Sequence, residues 1–255
     1  MLRTIILDAY KESEKKEIAK ALGEICSPRD NYGWASSGIY SYWDYDTKEI
    51  LYIGLAVDLT KRFKQHNGFY KTINKKTCKV EEINNYFKTK SKLGLSIIVQ
   101  SPLSQPIISL NKKQYKIFES IGIPVEDYSG EEGRDNIKLQ EGVLLEAFRK
   151  LKGDFPSWNK MNGSLDGQKR AGIIKVETFK AMTNNEPHYL MARSSLREIA
   201  KHPTIERYEN FLHSLRIMIP MYGLENSLNL INKYDPIGTL NEMNEKGYLK
   251  KKLEI

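Results

Sequence analysis

Apolar residues alternate between helical and strand spacing along this chain, and the changes of period mark its elements. Ile18, Leu22 and Ile25 recur at helical spacing among charges, which predicts a helix over residues 8–25. Gly38 to Tyr42 and Ile50 to Ile53 are short β-rich runs joined by the polar WDYDTKE, the pattern of a hairpin. Asp58 is placed to cap a helix through His66, with Leu59, Arg62, Phe63 and His66 along one side. Residues 67–92 are partly helical in pattern, Leu95 to Gln100 predicts a buried strand, and residues 112–121 a further helix. IPVEDYSGEEGR reads as a loop. Asn136 to Lys152 carries the strongest amphipathic pattern, with Ile137, Val143, Leu144, Leu145, Ala147, Phe148 and Leu151 on its apolar side and Gly153 at its end. Residues 159–170 are rich in Gly and Asn and predict a linker. Residues 193–232 are mostly helical, broken at Pro203.

These elements combine short strands with helices and end in a mostly helical C-terminal stretch. The expected division is a unit over residues 1–168, holding a basic insertion at about 67–135, and a mainly helical region over 169–255. The pair of helices either side of Pro203 suits DNA reading, packing or dimerisation. The tail KGYLKKKLEI reads as a source of backbone affinity or a frayed end.

No apolar run approaches the ~20 residues of a membrane helix, and the run Thr4 to Leu7 is too short for a secretory signal. Two cysteines give neither a disulfide framework nor a four-ligand zinc site. A cytoplasmic location, without membrane association, is the expectation. Charge changes the picture more. The chain carries +8, and residues 60–92 hold ten basic residues against Glu81 and Glu82, so this one stretch accounts for the whole surplus. Phe63, Phe69, Tyr70, Tyr86 and Phe87 interleave with it. Such a block suits a phosphate backbone, with Lys61, Lys64, Lys71, Lys75, Lys76 and Lys79 as candidate contacts.

Gly38-Ile39-Tyr40 is followed by Tyr52-Ile53-Gly54. Then come LTKRFKQH with Arg62 and His66, Glu141-Gly-Val-Leu144-Leu145, and Pro156-Ser-Trp158-Asn159. This ordered set resembles the GIY-YIG nuclease family, which is named for the two tripeptides. The resemblance spans residues 38–159, about half the chain, with a long gap between His66 and Glu141 that contains the basic block. Glu146 also lies on the helix that would carry the family's acid. Glu141 fits better, because Leu144 and Leu145 then take the family's apolar positions.

The resemblance implies an α/β (α+β) fold, a small mixed or antiparallel sheet flanked by helices with a helical C-terminal extension, and the activity of a metal-dependent DNA endonuclease; the residue types suit phosphodiester hydrolysis. A carboxylate such as Glu141 holds Mg²⁺ or Mn²⁺, which needs few protein ligands. Arg62 offers a permanent planar fork to phosphate. Tyr40 is the implied base for water, with His66 positioned to take its proton, Tyr52 as an orienting group and Asn159 as a brace. Gly38 and Gly54 would permit close approach. The implied partner is double-stranded DNA. A restriction-type enzyme cutting a palindrome would act as a homodimer. A homing, phage-related or defence nuclease is the alternative within the family, and a catalytically inactive nucleic-acid-binding module the alternative outside enzymes.

Overall fold

A computed structural model describes residues 2–28, 34–72, 78–100, 105–106, 108–122, 130–160, 162–172 and 176–255. Four strands, β1 (Leu2–Tyr10), β2 (Gly38–Asp44), β3 (Ile50–Ala56) and β4 (Leu93–Gln100), form one antiparallel sheet in the order β1-β4-β2-β3. Helices α1 (Lys15–Ile25), α2 (Leu59–His66), α3 (Val80–Phe87) and α4 (Lys112–Ser120) belong to the first half. The second half contributes α5 (Gly130–Lys152), α6 (Leu165–Arg170), α7 (Val176–Lys180), α8 (Leu196–Lys201), α9 (Pro203–Tyr222), α10 (Leu224–Lys233) and α11 (Thr239–Glu245).

Helices cover the sheet on both faces. Tyr40, Tyr42, Leu95, Ile97 and Ile6 point to one face and share a core with residues of α1, α2, α3 and α8. Ile39, Trp43, Ile53, Ile98, Ile5 and Leu7 point to the other and meet Leu144, Leu145 and Phe148 of α5, Phe179 of α7 and Leu253. Double coverage explains why β2 and β4 are buried at every position and mostly apolar, since alternation survives only where one face meets water. No described helix is long and apolar enough to cross a membrane.

The first strand was invisible to local pattern. The predicted helix over residues 8–25 gives way to strand through Tyr10, and the helix proper begins at Lys15. Asp8 made the run look finished at Leu7. Its carboxylate is buried within the strand and accepts from the backbone and guanidinium of Arg197, at 2.9 Å for Nη2. A buried charge is tolerated in a strand only when so paired, and this partner lies 189 residues away along the chain. The free edge of β1 is also closed from afar: Ile5 donates to Leu190 O at 2.8 Å, and Ala192 donates to Ile5 O at 2.9 Å.

Two further expectations give way. Part of the loop predicted over 123–134 is helical, because α5 starts at Gly130; residues 123–129 lie outside the described residues. The linker predicted over 159–170 contains α6, capped by the Ser164 hydroxyl. Glycine signalled a break in both places, but tertiary packing overrides propensity. A side chain at Gly142 or Gly167 would strike the backbone of the facing helix segment, so these glycines let α6 rest directly on α5. The C-terminal tail is likewise packed, with Tyr248 and Leu253 buried. Of the helices either side of Pro203, α8 lies against α1 and β1.

Candidate active site

The hairpin and α2 build the centre of the site. Tyr40, on β2, stands opposite Gly54 on β3, and Tyr42 opposite Tyr52. A Cβ on Gly54 would sit 2.7 Å from Tyr52 Oη and 2.8 Å from Tyr40 Oη, so only glycine leaves the two phenols together. Their hydroxyls are 3.5 Å apart. Asp58 starts α2 as expected, its carboxylate accepting from Lys61 N at 2.8 Å, a cap worth about 1 kcal/mol. One turn after Arg62, His66 places Nε2 2.6 Å from Tyr40 Oη. Its Nδ1 accepts the Lys79 backbone N–H at 2.8 Å.

The far side of the site is the edge strand β3, whose outward backbone groups need partners. Leu51 O accepts from Trp158 N at 2.8 Å. Asn159 then imitates a neighbouring strand: its Oδ1 accepts from Ile53 N at 2.9 Å and its Nδ2 donates to Ile53 O at 2.7 Å. Farther along the same edge, the Leu55 N–H favours the charged form of Glu141. Pairing along the strand edge thus sets Asn159 in register with the hairpin.

Arg62 is half-buried and bonds Gln65 Oε1 at 3.2 Å. Its charge reaches Tyr40, Tyr42, Tyr52, His66 and Glu141. Burial raises the Tyr40 phenol well above its ordinary range, and neighbouring Tyr52 adds to this while Arg62 opposes it. Tyr52 is raised for the same first reason. Burial, with Arg62 and Lys79, pushes His66 down to about 3, so the ring is neutral at pH 7. Burial pushes Glu141 up to about 7, offset in part by Leu55 N–H and Arg62.

Among the described residues no group of three or more His, Cys, Asp or Glu side chains could hold a metal. Glu141 offers a single carboxylate, and Mg²⁺ is held by one or two carboxylates with water completing its shell. A desolvated carboxyl with so little compensation gains strongly from a cation, so the residues fit one hard divalent ion. Glu146 is spent elsewhere: Arg149 Nη2 and Nε donate to its two oxygens at 2.7 and 2.9 Å.

The six expected residues Tyr40, Tyr52, Arg62, His66, Glu141 and Asn159 therefore belong to one locality. The lysines separate. Lys61 and Lys71 are exposed and Lys64 is half-buried, while Lys75 and Lys76 lie outside the described residues. Lys79 is 3% exposed. Its ammonium lies 5.1 Å from the Tyr52 ring centre and 3.6 Å from Glu82, as a wall of the site instead of a surface contact. Within the same block, Lys90 pairs with Asp46 at 2.8 Å.

Sequence reasoning missed Tyr42, Asn67 and Tyr10, which form a buried rail behind His66. Tyr10 donates to Asn67 Oδ1 at 2.9 Å, and Asn67 Nδ2 donates to Tyr42 Oη at 3.3 Å. Tyr42 was findable as the same-face neighbour of Tyr40 at strand period two. Nothing local marked the Lys79 amide. No protein-family model, curated protein or solved structure matched the chain.

Proposed function

We propose that the chain is a divalent-metal-dependent DNA endonuclease of GIY-YIG type, most readily of the restriction kind. One observation carries this reading. Six residues in the family's order, spread from Tyr40 to Asn159, converge on one half-buried arginine, one under-compensated carboxylate and a hydrogen-bonded phenol. Such a set supplies what phosphodiester hydrolysis requires, namely a base near water, a fixed cation for phosphate and an anionic metal ligand.

Glu141 would hold Mg²⁺ or Mn²⁺, which supplies charge neutralisation at the phosphoryl and departing oxygens. Arg62 grips a non-bridging phosphate oxygen through its planar fork. Tyr40 Oη, as phenolate, takes a proton from the attacking water, whose oxygen bonds phosphorus as the bond to the departing oxygen breaks. Tyr52 keeps Tyr40 in place and narrows the site beside Gly54. Asn159 locks β3, so that Glu141 and the hairpin keep their spacing. Double-stranded DNA is the proposed substrate, with the segment between His66 and Glu141 and residues 169–255 available for grip or for dimerisation on a palindrome.

A plasmid assay tests the reading. Purified protein should convert supercoiled DNA to nicked or linear forms with Mg²⁺ or Mn²⁺, and not with EDTA. Binding without cleavage, across both metals and several DNA genomes, would make the chain a nucleic-acid-binding module instead.

A further inference from the structure

We infer that His66 is a fixed hydrogen-bond donor to Tyr40 Oη, its polarity set by the Lys79 backbone amide, and not the acceptor of the Tyr40 proton. This overturns the role that the residue types suggested. The kinetic consequence rests on the nuclease reading; the hydrogen-bond polarity does not.

Nδ1 fixes the polarity. A backbone N–H can only donate, so the Lys79 amide at 2.8 Å requires a lone pair on His66 Nδ1. A neutral imidazole carries one proton, which must then sit on Nε2. A doubly protonated ring would set two N–H groups head-on at Nδ1. It would also place a third positive charge beside Arg62 and Lys79 in a site from which His66 sees no solvent. In the resting site the remaining titratable neighbours, Tyr40, Tyr42 and Tyr52, are phenols that burial holds in the neutral form, so they supply no counter-charge to an imidazolium.

Nε2–H therefore points at Tyr40 Oη across 2.6 Å, and the phenolic oxygen accepts. The Tyr40 proton is turned away from the histidine, toward half-buried Tyr52, whose oxygen at 3.5 Å is a weak partner. For His66 to receive that proton, Nδ1 would have to take up its own hydrogen against the Lys79 amide. A donor aimed at a phenolic oxygen stabilises the phenolate over the phenol. His66 is thus a positioning residue that favours the basic form of Tyr40, and the proton Tyr40 first carries leaves to solvent on the Tyr52 side. The Lys79 amide is the outer member of a relay in which each group can donate in one direction only.

Two measurements decide this. Long-range ¹H–¹⁵N correlation of the four histidines, with His66 assigned by loss of its signals in His66→Gln, reports the tautomer directly. The expected result at pH 7 is a protonated-type Nε2 and an unprotonated-type Nδ1. A protonated Nδ1 overturns the inference whether or not the protein cuts DNA. In cleavage, His66→Gln keeps an N–H donor and should stay within about tenfold of wild type. His66→Glu keeps only acceptors and should lose about 10²-fold or more. The reverse order, with glutamate active and glutamine dead in folded variants, would show that a proton acceptor is needed. If the wild type itself does not cleave, the nuclease reading fails while the tautomer is still settled by the nitrogen shifts.

Discussion

His66 and His213 make an instructive pair. Both are almost fully buried, both are held neutral by burial and a nearby arginine, and both are pushed down to about 3. His213 is on the buried side of α9, where its Nδ1 is 2.7 Å from Thr4 Oγ1 and its ring leans on Trp34. Around it most polar groups are tied to protein, although His213 Nε2, Glu209 Oε2 and Trp34 Nε1 find no hydrogen-bond partner among the described residues. Arg216 donates to Tyr189 O at 2.9 Å and Met191 O at 2.7 Å and lies 3.6 Å from Glu209, which in turn accepts from Tyr248 Oη and Arg193 N. That cluster ties α9 to β1. At His66 both ring nitrogens are partnered, and the groups beyond it are loosely held. Tyr40 and Tyr52 meet only at 3.5 Å, Glu141 has a single backbone donor beside it, and Arg62 holds one glutamine. Saturation therefore does not separate the two regions, since the His213 cluster keeps unpartnered atoms as well; what separates them is that the His213 groups join α9 to β1, whereas His66 stands among two phenols, a half-buried arginine and a carboxyl raised by burial.

The contrast breaks most sharply on activity. Tyr40→Phe and Glu141→Ala should each lower the cleavage rate by about 10²–10⁴-fold while leaving the thermal midpoint near wild type. Glu146→Ala, whose carboxylate only pairs with Arg149, should cleave normally. Single-turnover rates on one plasmid would reverse the assignment if Glu146→Ala were dead and Glu141→Ala active. Arg216→Met should do the opposite. It leaves Glu209, 0% exposed, buried without its counter-charge, a loss of about 3–5 kcal/mol. The thermal midpoint should fall on the order of 10 °C, with the rate per folded molecule unchanged. A fall in that rate, measured well below the midpoint, would mean the two regions are coupled.

The two regions also differ in how legible they were. The hairpin, α2 and its Asp58 cap were readable because each is encoded within a few residues, and the order Tyr40 to Asn159 was readable as a motif. A small sheet flanked by helices was legible from the same runs, but not its first strand, nor whether its strands were mixed or antiparallel. The His213 cluster was not readable, since Thr4, Glu209, His213 and Arg216 meet only after β1 and α9 have packed. The same holds for Asp8 with Arg197, which hid the first strand, and for the Lys79 amide, since no side-chain letter records where a main-chain N–H points. Lys79 itself looked like one more cation in a basic run. Its burial is a property of the packing around Tyr52 and Glu82.

Acid should sharpen the comparison by treating both histidines alike. Each has a folded value near 3 against an ordinary 6.5, so the unfolded chain binds the proton first as pH falls. The stability each contributes is complete above 6.5 and is lost progressively toward 3. A single such group changes stability by at most ~1.4 kcal/mol per pH unit. Urea midpoints between pH 6.5 and 4.5 should fall less steeply in His66→Gln and in His213→Gln, by similar amounts. An unchanged slope in either variant would mean that its histidine is already charged in the fold.

The smallest effect concerns charge at the surface, and it separates lysines that the sequence grouped together. Lys61 and Lys71 are exposed, whereas Lys79 is walled in beside Tyr52 and Glu82. A cation releases counterions only if it meets the phosphate backbone, so neutralising exposed lysines should flatten the dependence of log K on log salt by about 0.9 for each phosphate no longer paired. Lys61→Gln with Lys71→Gln should weaken binding to cognate and random duplexes alike, because phosphate contacts position the helix without reading it. Lys79→Gln should leave the salt slope unchanged and act on the cleavage step, through the wall it forms against Tyr52. Titrations at several salt concentrations in the Glu141→Ala background, where DNA stays intact, would measure both. A wild-type slope in the Lys61, Lys71 double variant would place the DNA grip elsewhere, with Lys75 and Lys76 the next pair to neutralise. A reduced slope in Lys79→Gln would mean that its ammonium leaves Glu82 and reaches phosphate when DNA binds.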